Sequence, residues 1–381
     1  MYQYVLDEEI DKRNDWQPWT HGRLVRAARS SDDKARRSPV NIRAPAMKPI
    51  YLGANQFEHF YAGGGAIAAF RGIGSAQAKT PEDWIASTTT RYGEQRIGRS
   101  SLPDGRLLAE AIAADPLSWL GAEHRAAFGD STELLVKLLD AGERLVVHCH
   151  PSRDFAKQHL GCAHGKTEAW LVLETSAQPT FVYLGFQKHV PQRTLRGWVT
   201  RQRTVEMLSA LNRIPVSPGD AILVPAGVPH AIGEGVFVAE LQEPTDFSVL
   251  LEWKGFSIDG ERDGHLGLGY PVALTAVDRS AWDSERLAGL YGPIDGGTAR
   301  ELVLPRAADP YFRAERLRAG AYCEASFAVL IVVDGEGQLR LDGEALAIRK
   351  GHTLVVPHAA GPTSIHGPVS VLRCRPPAPP K

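Results

Sequence analysis

The feature that most restricts the fold is an internal repeat. "GDAILVPAGVPH", starting at Gly219, and "GHTLVVPHAAGP", starting at Gly351, align with glycine and proline six residues apart in each. The offset of 132 residues (351 − 219) carries Pro225 onto Pro357 and His230 onto Pro362. Two copies of one β-module follow, and only the first keeps the histidine. Around both copies, apolar runs such as "LLVKLLD", "ERLVVHCH", "EAWLVLE" and "PTFVYLGF" alternate with turn residues. The 37 glycines and 26 prolines exceed what a helical bundle carries. Strand, turn and strand at this spacing predict a mainly β chain of two jelly-roll modules with a short helical insertion and an irregular N-terminal arm.

Four segments are expected. Residues 1–46 mix Arg, Asp and Ser with few apolar positions at any period, which predicts a mobile arm. Residues 47–253 form a first module with short helices, 254–305 a connector with helical parts, and 306–381 a second module. "DGRLLAEAIAADPLSWLG" predicts one helix ended by Gly121. "TRQRTVEMLSALNRI" predicts another over 200–214, with Val205, Leu208 and Leu211 on one face.

Composition narrows the function classes. A net charge of −1 leaves no electrostatic footprint for nucleic acid or an anionic membrane. No run of about 18 apolar residues offers a membrane span. The opening "MYQYVLDEEIDKRND" lacks the basic-then-apolar order of a secretory signal. Cys149, Cys162, Cys323 and Cys374 have no paired close spacing, so reduced thiols and a cytoplasmic protein are expected.

Metal chemistry is concentrated in "VVHCHPSRDFAKQHLGCAHGKTEAW", residues 146–170. In a strand, side chains two apart share a face, so His148 and His150 project together, roughly 6.6 Å apart at the backbone. Cys149 then points the other way, as a small core residue. Glu168 opens the next expected strand, after a loop that returns it beside the histidine pair. His230 closes G-x5-P-x-G-x2-H. Three imidazoles and one carboxylate suit Zn, Fe, Mn or Ni and leave positions open for water or substrate. His159 and His164 fall in the intervening loop, and His352, His358 and His366 are dispersed, so none is assigned to the site.

These motifs resemble the cupin superfamily and, within it, the short bacterial form of the type I mannose-6-phosphate isomerases. "HCHPSRDFA" resembles that family's Q-x-H-P segment and "HGKTEAWLVLE" its G-K-T-E-x-W stretch. "PEDWIAS" resembles a G-E-S-W-E-I-S element, and "TVEMLSALNRIPVSPGDAILVPAGVPHAIGEG" is similar to the helix and second motif. The likeness covers about residues 47–253, with a weaker match of the C-terminal module. It implies His148, His150, Glu168 and His230 as metal ligands, with Zn2+ as the family ion and Fe2+ or Mn2+ as alternatives. It also implies Lys166, two residues before the metal glutamate, and Asp246 as functional groups. Two positions depart from the pattern: His148 stands where the family commonly has Gln, and Leu250 where it carries arginine.

The implied reaction interconverts mannose 6-phosphate and fructose 6-phosphate through an enediol. Lys166, Asp246 and Glu240 are the candidate acid–base residues; Glu240 and Gln242 share a strand face. Arginines of "RYGEQRIGR" and "RTLRGWVTRQR" are candidates for a phosphate. Leu250 favours an alternative, an isomerase or epimerase of an unphosphorylated sugar. The three-His, one-Glu set equally suits an iron-dependent cupin dioxygenase, and a non-catalytic sugar sensor would keep the ligands without the base. In each case the partner is a small sugar or sugar phosphate.

Overall fold

The computed structural model describes residues 47–75, 77–175 and 179–380; the arm expected over 1–46 lies outside them. The chain is mainly β, as its strand and turn pattern predicts. The repeat appears as equivalent strands: Ala221–Val224 and Thr353–Val356 are related by the same 132 residues that relate the motifs.

The first module is built on two five-stranded antiparallel sheets. One runs in the order Glu82–Ile85, Leu135–Asp140, Val236–Gln242, Glu168–Thr175, Ala221–Val224. The other runs Val249–Leu250, His148–Cys149, His230–Ile232, Phe181–Phe186, Leu211–Pro215. Leu139, Val172 and Val238 of the first sheet and Val182, Leu184 and Ile232 of the second belong to one buried cluster. This is the burial that favours two sheets closing on each other. On the outer side of the second sheet, Val147, Cys149, Ala231 and Val249 pack with Leu195, Val199 and Met207 from two helices. Cys149 is therefore a core residue, as its strand position predicts.

The second module centres on the long strand Ala328–Leu341, flanked by Thr353–Val356, Thr363–His366 and Val369–Arg375. The strand Ile50–Tyr51 pairs with Thr353–Val356, so the start of the described chain completes the second module's sheet. Gly121 (φ 83°) also lies against the second module, where a Cβ would stand 2.4 Å from the His358 ring.

Several local expectations are corrected. The helix expected to run unbroken to Gly121 is divided into Leu108–Ala114 and Pro116–Leu120, because Pro116 cannot continue the first helix. The helix expected over 200–214 covers Thr204–Ala210 and gives way to the strand Leu211–Pro215. Its Val205 is 74% exposed, and Met207 is the residue that enters the core. Gln192–Thr200 is a helix that the sequence reading left unassigned, as is Arg153–His159 in the expected loop. "GAIAAFR" forms a further helix, Gly65–Arg71.

Candidate metal centre and its cleft

Strand pairing assembles the candidate site from both sheets. On the second sheet His148 is the direct cross-strand partner of His230. On the first sheet Trp84, Lys137, Glu240 and Trp170 form one row across four strands, so all four side chains share a face. Glu82 and Glu168 lie two residues along from Trp84 and Trp170 and join the same face. The two inward faces meet at a cleft of about 980 Å³, lined by these groups except Trp84 and by Lys166, Asp246 and Leu250; His150 lies behind the lining.

The three histidines converge. Their rings lie 4.2–4.9 Å apart between centroids, and one nitrogen of each falls within 4.8 Å of the others. The opposite nitrogen is fixed in every case by a backbone carbonyl. His148 Nδ1 donates to Val146 O, His150 Nδ1 to Phe247 O and His230 Nδ1 to Val228 O, each at 2.8 Å. A carbonyl only accepts, so Nδ1 carries the proton and each Nε2 keeps a lone pair, which in His150 meets the Lys166 ammonium. Glu168 adds its carboxylate, 3.0 Å from His150 Nε2 and 3.4 Å from His230 Nε2. Trp170 Nε1 donates to Glu168 Oε1 at 2.9 Å and holds its orientation.

This donor set fits a divalent cation. His230 Nε2 and Glu168 Oε2 are buried without a hydrogen-bond partner. Lys166 Nζ stands 3.0 Å from Glu168 Oε2, an ion-pair distance without hydrogen-bond alignment. Burial, reinforced by the Lys166 charge, lowers the His150 pKa to about 3. Burial first, and then the neighbouring His150, lowers that of His230 to about 3. Burial and His230 also hold His148 well below the usual range. Burial alone raises a carboxyl pKa, yet Lys166 and His150 outweigh it and keep Glu168 ionised. Three neutral imidazoles and one carboxylate converging on a single point match the donor set of a divalent cation, beside the Lys166 ammonium that faces His150 and Glu168.

Around this centre lie the acid–base candidates. Lys166 is 4% exposed, and its Nζ donates to His150 Nε2 at 2.9 Å. Glu240 is 2% exposed, with Oε1 unpartnered, 3.6 Å from Lys137 Nζ and 4.0 Å from Lys166 Nζ. Burial and the Glu168 charge raise its pKa to about 7, against the pull of Lys137 and Lys166. Gln242 is also fully buried, so this strand face looks inward. Asp246 lines the cleft, but its Oδ2 accepts the Tyr92 N–H at 3.0 Å and ties down the loop that carries Tyr92.

The sequence reading missed a second buried cluster. Lys137 stands between Glu82 Oε2 (3.0 Å) and Glu240, with its ammonium 4.6 Å from the Trp84 ring centroid. Burial lowers its pKa, but the charges of Glu82 and Glu240 more than reverse this and hold it as an ammonium. Glu82 also accepts from Tyr61 Oη (2.5 Å) and Trp84 Nε1 (2.7 Å). The available signal was a lysine in the middle of "LLVKLLD", where an unbroken apolar run, buried on both faces, leaves it no solvent side. Of the arginines considered for a phosphate, Arg91 reaches the cleft lining; those of the Gln192–Thr200 helix do not. His164 pairs with Glu133 at 2.9 Å, away from the centre.

The chain is similar to known proteins in sequence and in fold. Residues 318–376 match the family model described as mannose-6-phosphate isomerase, cupin domain. The mannose-6-phosphate isomerase of Streptococcus mutans is 27% identical over 68% of this chain and 79% of its own. Mannose-6-phosphate isomerase ManA of Bacillus subtilis is 26% identical over 80% and 92%. Among solved structures, the Bacillus subtilis mannose 6-phosphate isomerase superposes with a TM-score of 0.68 at 22% identity, over 86% of this chain and 100% of that one. A mannose 6-phosphate isomerase bound with zinc and yttrium gives 0.65 at 17% identity, over 87% and 100%.

Proposed function

We infer that the chain is a cupin-type phosphomannose isomerase, a metal-dependent aldose–ketose isomerase acting on mannose 6-phosphate and fructose 6-phosphate; its domain match, its relatives and its fold support this reading. The observation that carries the reading is the convergence of three neutral imidazoles and one ionised carboxylate at a cleft that also exposes a carboxyl poised near neutrality. His148, His150, Glu168 and His230 would hold the ion. Zinc is the favoured candidate, since a related structure contains it. Such an ion supplies Lewis-acid polarisation of the sugar's carbonyl and neighbouring hydroxyl oxygens.

The chain's own residues divide the remaining work. Isomerisation moves one proton between adjacent carbons, through an enediol whose formation places negative charge beside a carbonyl. Glu240, with its carboxyl near pH 7, is suited to take that proton and return it. Lys166, beside His150 and Glu168, is placed to donate to a sugar oxygen as charge develops there. Lys137 stays an ammonium and keeps Glu240 from being permanently protonated. Asp246 serves the site by positioning the Tyr92 loop.

Leu250, apolar and in the lining, favours a second reading in which the sugar carries no phosphate. A coupled assay on mannose 6-phosphate, free mannose and other aldoses decides between them. Mannose 6-phosphate is expected to give the highest kcat/KM. Turnover of free aldoses alone would replace this reading with the second, and no isomerisation of any of them would remove it.

A further inference from the structure

Five cationic side chains line the cleft: Lys79, Arg91, Lys137, Lys166 and Arg262. Four of them face a carboxylate. Lys137 has Glu82 and Lys166 has Glu168, each at 3.0 Å; Arg91 has Glu94 at 2.9 Å and Arg262 has Asp263 at 2.7 Å. Among the described residues no carboxylate lies within ion-pair distance of Lys79. Its Nζ donates to Ser257 Oγ at 2.7 Å, across 178 residues of sequence.

This juxtaposition is built into the backbone. The His59 N–H donates to Lys79 O at 2.9 Å, and the Ser257 N–H donates to Phe60 O at 3.3 Å. Both residues are therefore hung on one segment, and its His59, Phe60 and Tyr61 also line the cleft. Deeper in, Leu250 offers no charge. Its surroundings are occupied by the Gly264 backbone and by Tyr270, whose hydroxyl donates to Leu250 O at 3.0 Å. An anionic substituent of a bound sugar thus finds no partner at Leu250.

A hexose 6-phosphate presents its reacting carbons and its phosphoryl group at opposite ends. With the reacting end at the histidines, the other end is directed away from the metal centre. We propose that Lys79 and Ser257 form the subsite for the phosphoryl group, and so set the preference for phosphorylated over free sugars. An ammonium without a carboxylate partner, next to a hydroxyl that donates and accepts, matches the charge and hydrogen-bonding of a phosphate monoester. Acidic lining residues do not compete for Lys79: Asp246 is engaged by the Tyr92 N–H, Asp263 by Arg262, and Glu58 is exposed.

The subsite rests on the isomerase reading above, and its test separates the two. Wild type, K79M, K79R and S257A, each metal-loaded, are assayed on mannose 6-phosphate and free mannose. Calorimetry measures binding of glucitol 6-phosphate, which has no carbonyl to isomerise. K79M is expected to lower the kcat/KM preference for mannose 6-phosphate by about tenfold or more, as loss of one charge-assisted hydrogen bond implies, chiefly through KM. K79R should restore most of the preference, and S257A should lose less than K79M. An unchanged preference in K79M, or a fall in kcat at constant KM, overturns the subsite. Should wild type isomerise no sugar phosphate, the functional reading fails, yet glucitol 6-phosphate still decides the subsite. Weakening in K79M supports it, whereas equal affinity, or no binding by wild type, overturns it.

Discussion

Glu240 is the residue on which the proton-transfer account turns. It faces Glu168, Glu82, Lys137 and Lys166, and the balance of burial and these charges raises its carboxyl to about 7. A base must be deprotonated to act, so turnover should rise with pH through about 7. E240Q should reduce kcat by about a hundredfold or more, the size typical of general acid–base steps, and abolish that limb of the profile. Stability moves the opposite way. A folded-state pKa above the unfolded carboxyl value favours the fold fully below pH 4.5, and this contribution is lost as pH rises through 7. Urea unfolding of wild type and E240Q at pH 5 and pH 8 checks this. A pH profile unchanged by E240Q would assign the proton transfer to another group.

At the scale of elements, the first sheet carries a row of charges and indoles where most sheets carry aliphatic residues. Lys137 and Glu82 are 2% and 7% exposed, so neither charge is left to solvent. Removing one partner of such a pair strands the other. K137M should therefore destabilise the protein by about 3–5 kcal/mol, and E82Q in the same chain should recover part of that loss. Denaturant midpoints of the two single variants and the double variant measure it; additive losses would mean that the pair is not coupled. This row also marks where sequence reading stops. His148, His150, Glu168 and His230 were legible because strand periodicity and a repeated glycine–proline motif bring them into view. Lys137 and Glu82 were not, because what makes them tolerable is a partner on another strand. The helix Gln192–Thr200 escaped for a related reason: with only Leu195 and Val199 buried, its apolar stripe is too thin to read. The split at Pro116 and the early end of the Thr204–Ala210 helix lay within reach of the rules for proline and strand propensity.

Across the whole described chain the repeated motif recurs on the strands Ala221–Val224 and Thr353–Val356, and the candidate centre lies beside the first of them. The two modules share strand pairing at Ile50–Tyr51 and one aliphatic cluster that runs from Val182 and Ile232 to Phe312, Val329 and Val355, with a second cluster inside the C-terminal module, so the fold has a core independent of an ion. Among the described residues no helix is long and apolar enough to cross a membrane. The histidine lost from the second copy, His230 becoming Pro362 under the repeat, agrees with the first module holding the chemistry. The central claim, that isomerisation requires an ion at His148, His150, Glu168 and His230, is tested most directly by chelation and reloading. Protein stripped of metal and then titrated with zinc should bind about one ion per chain. It should lose mannose 6-phosphate turnover when stripped and regain it on loading, while H150A does neither and both metal-free proteins keep a native circular-dichroism spectrum. Normal turnover by metal-free protein, or full activity of H150A, would contradict the account.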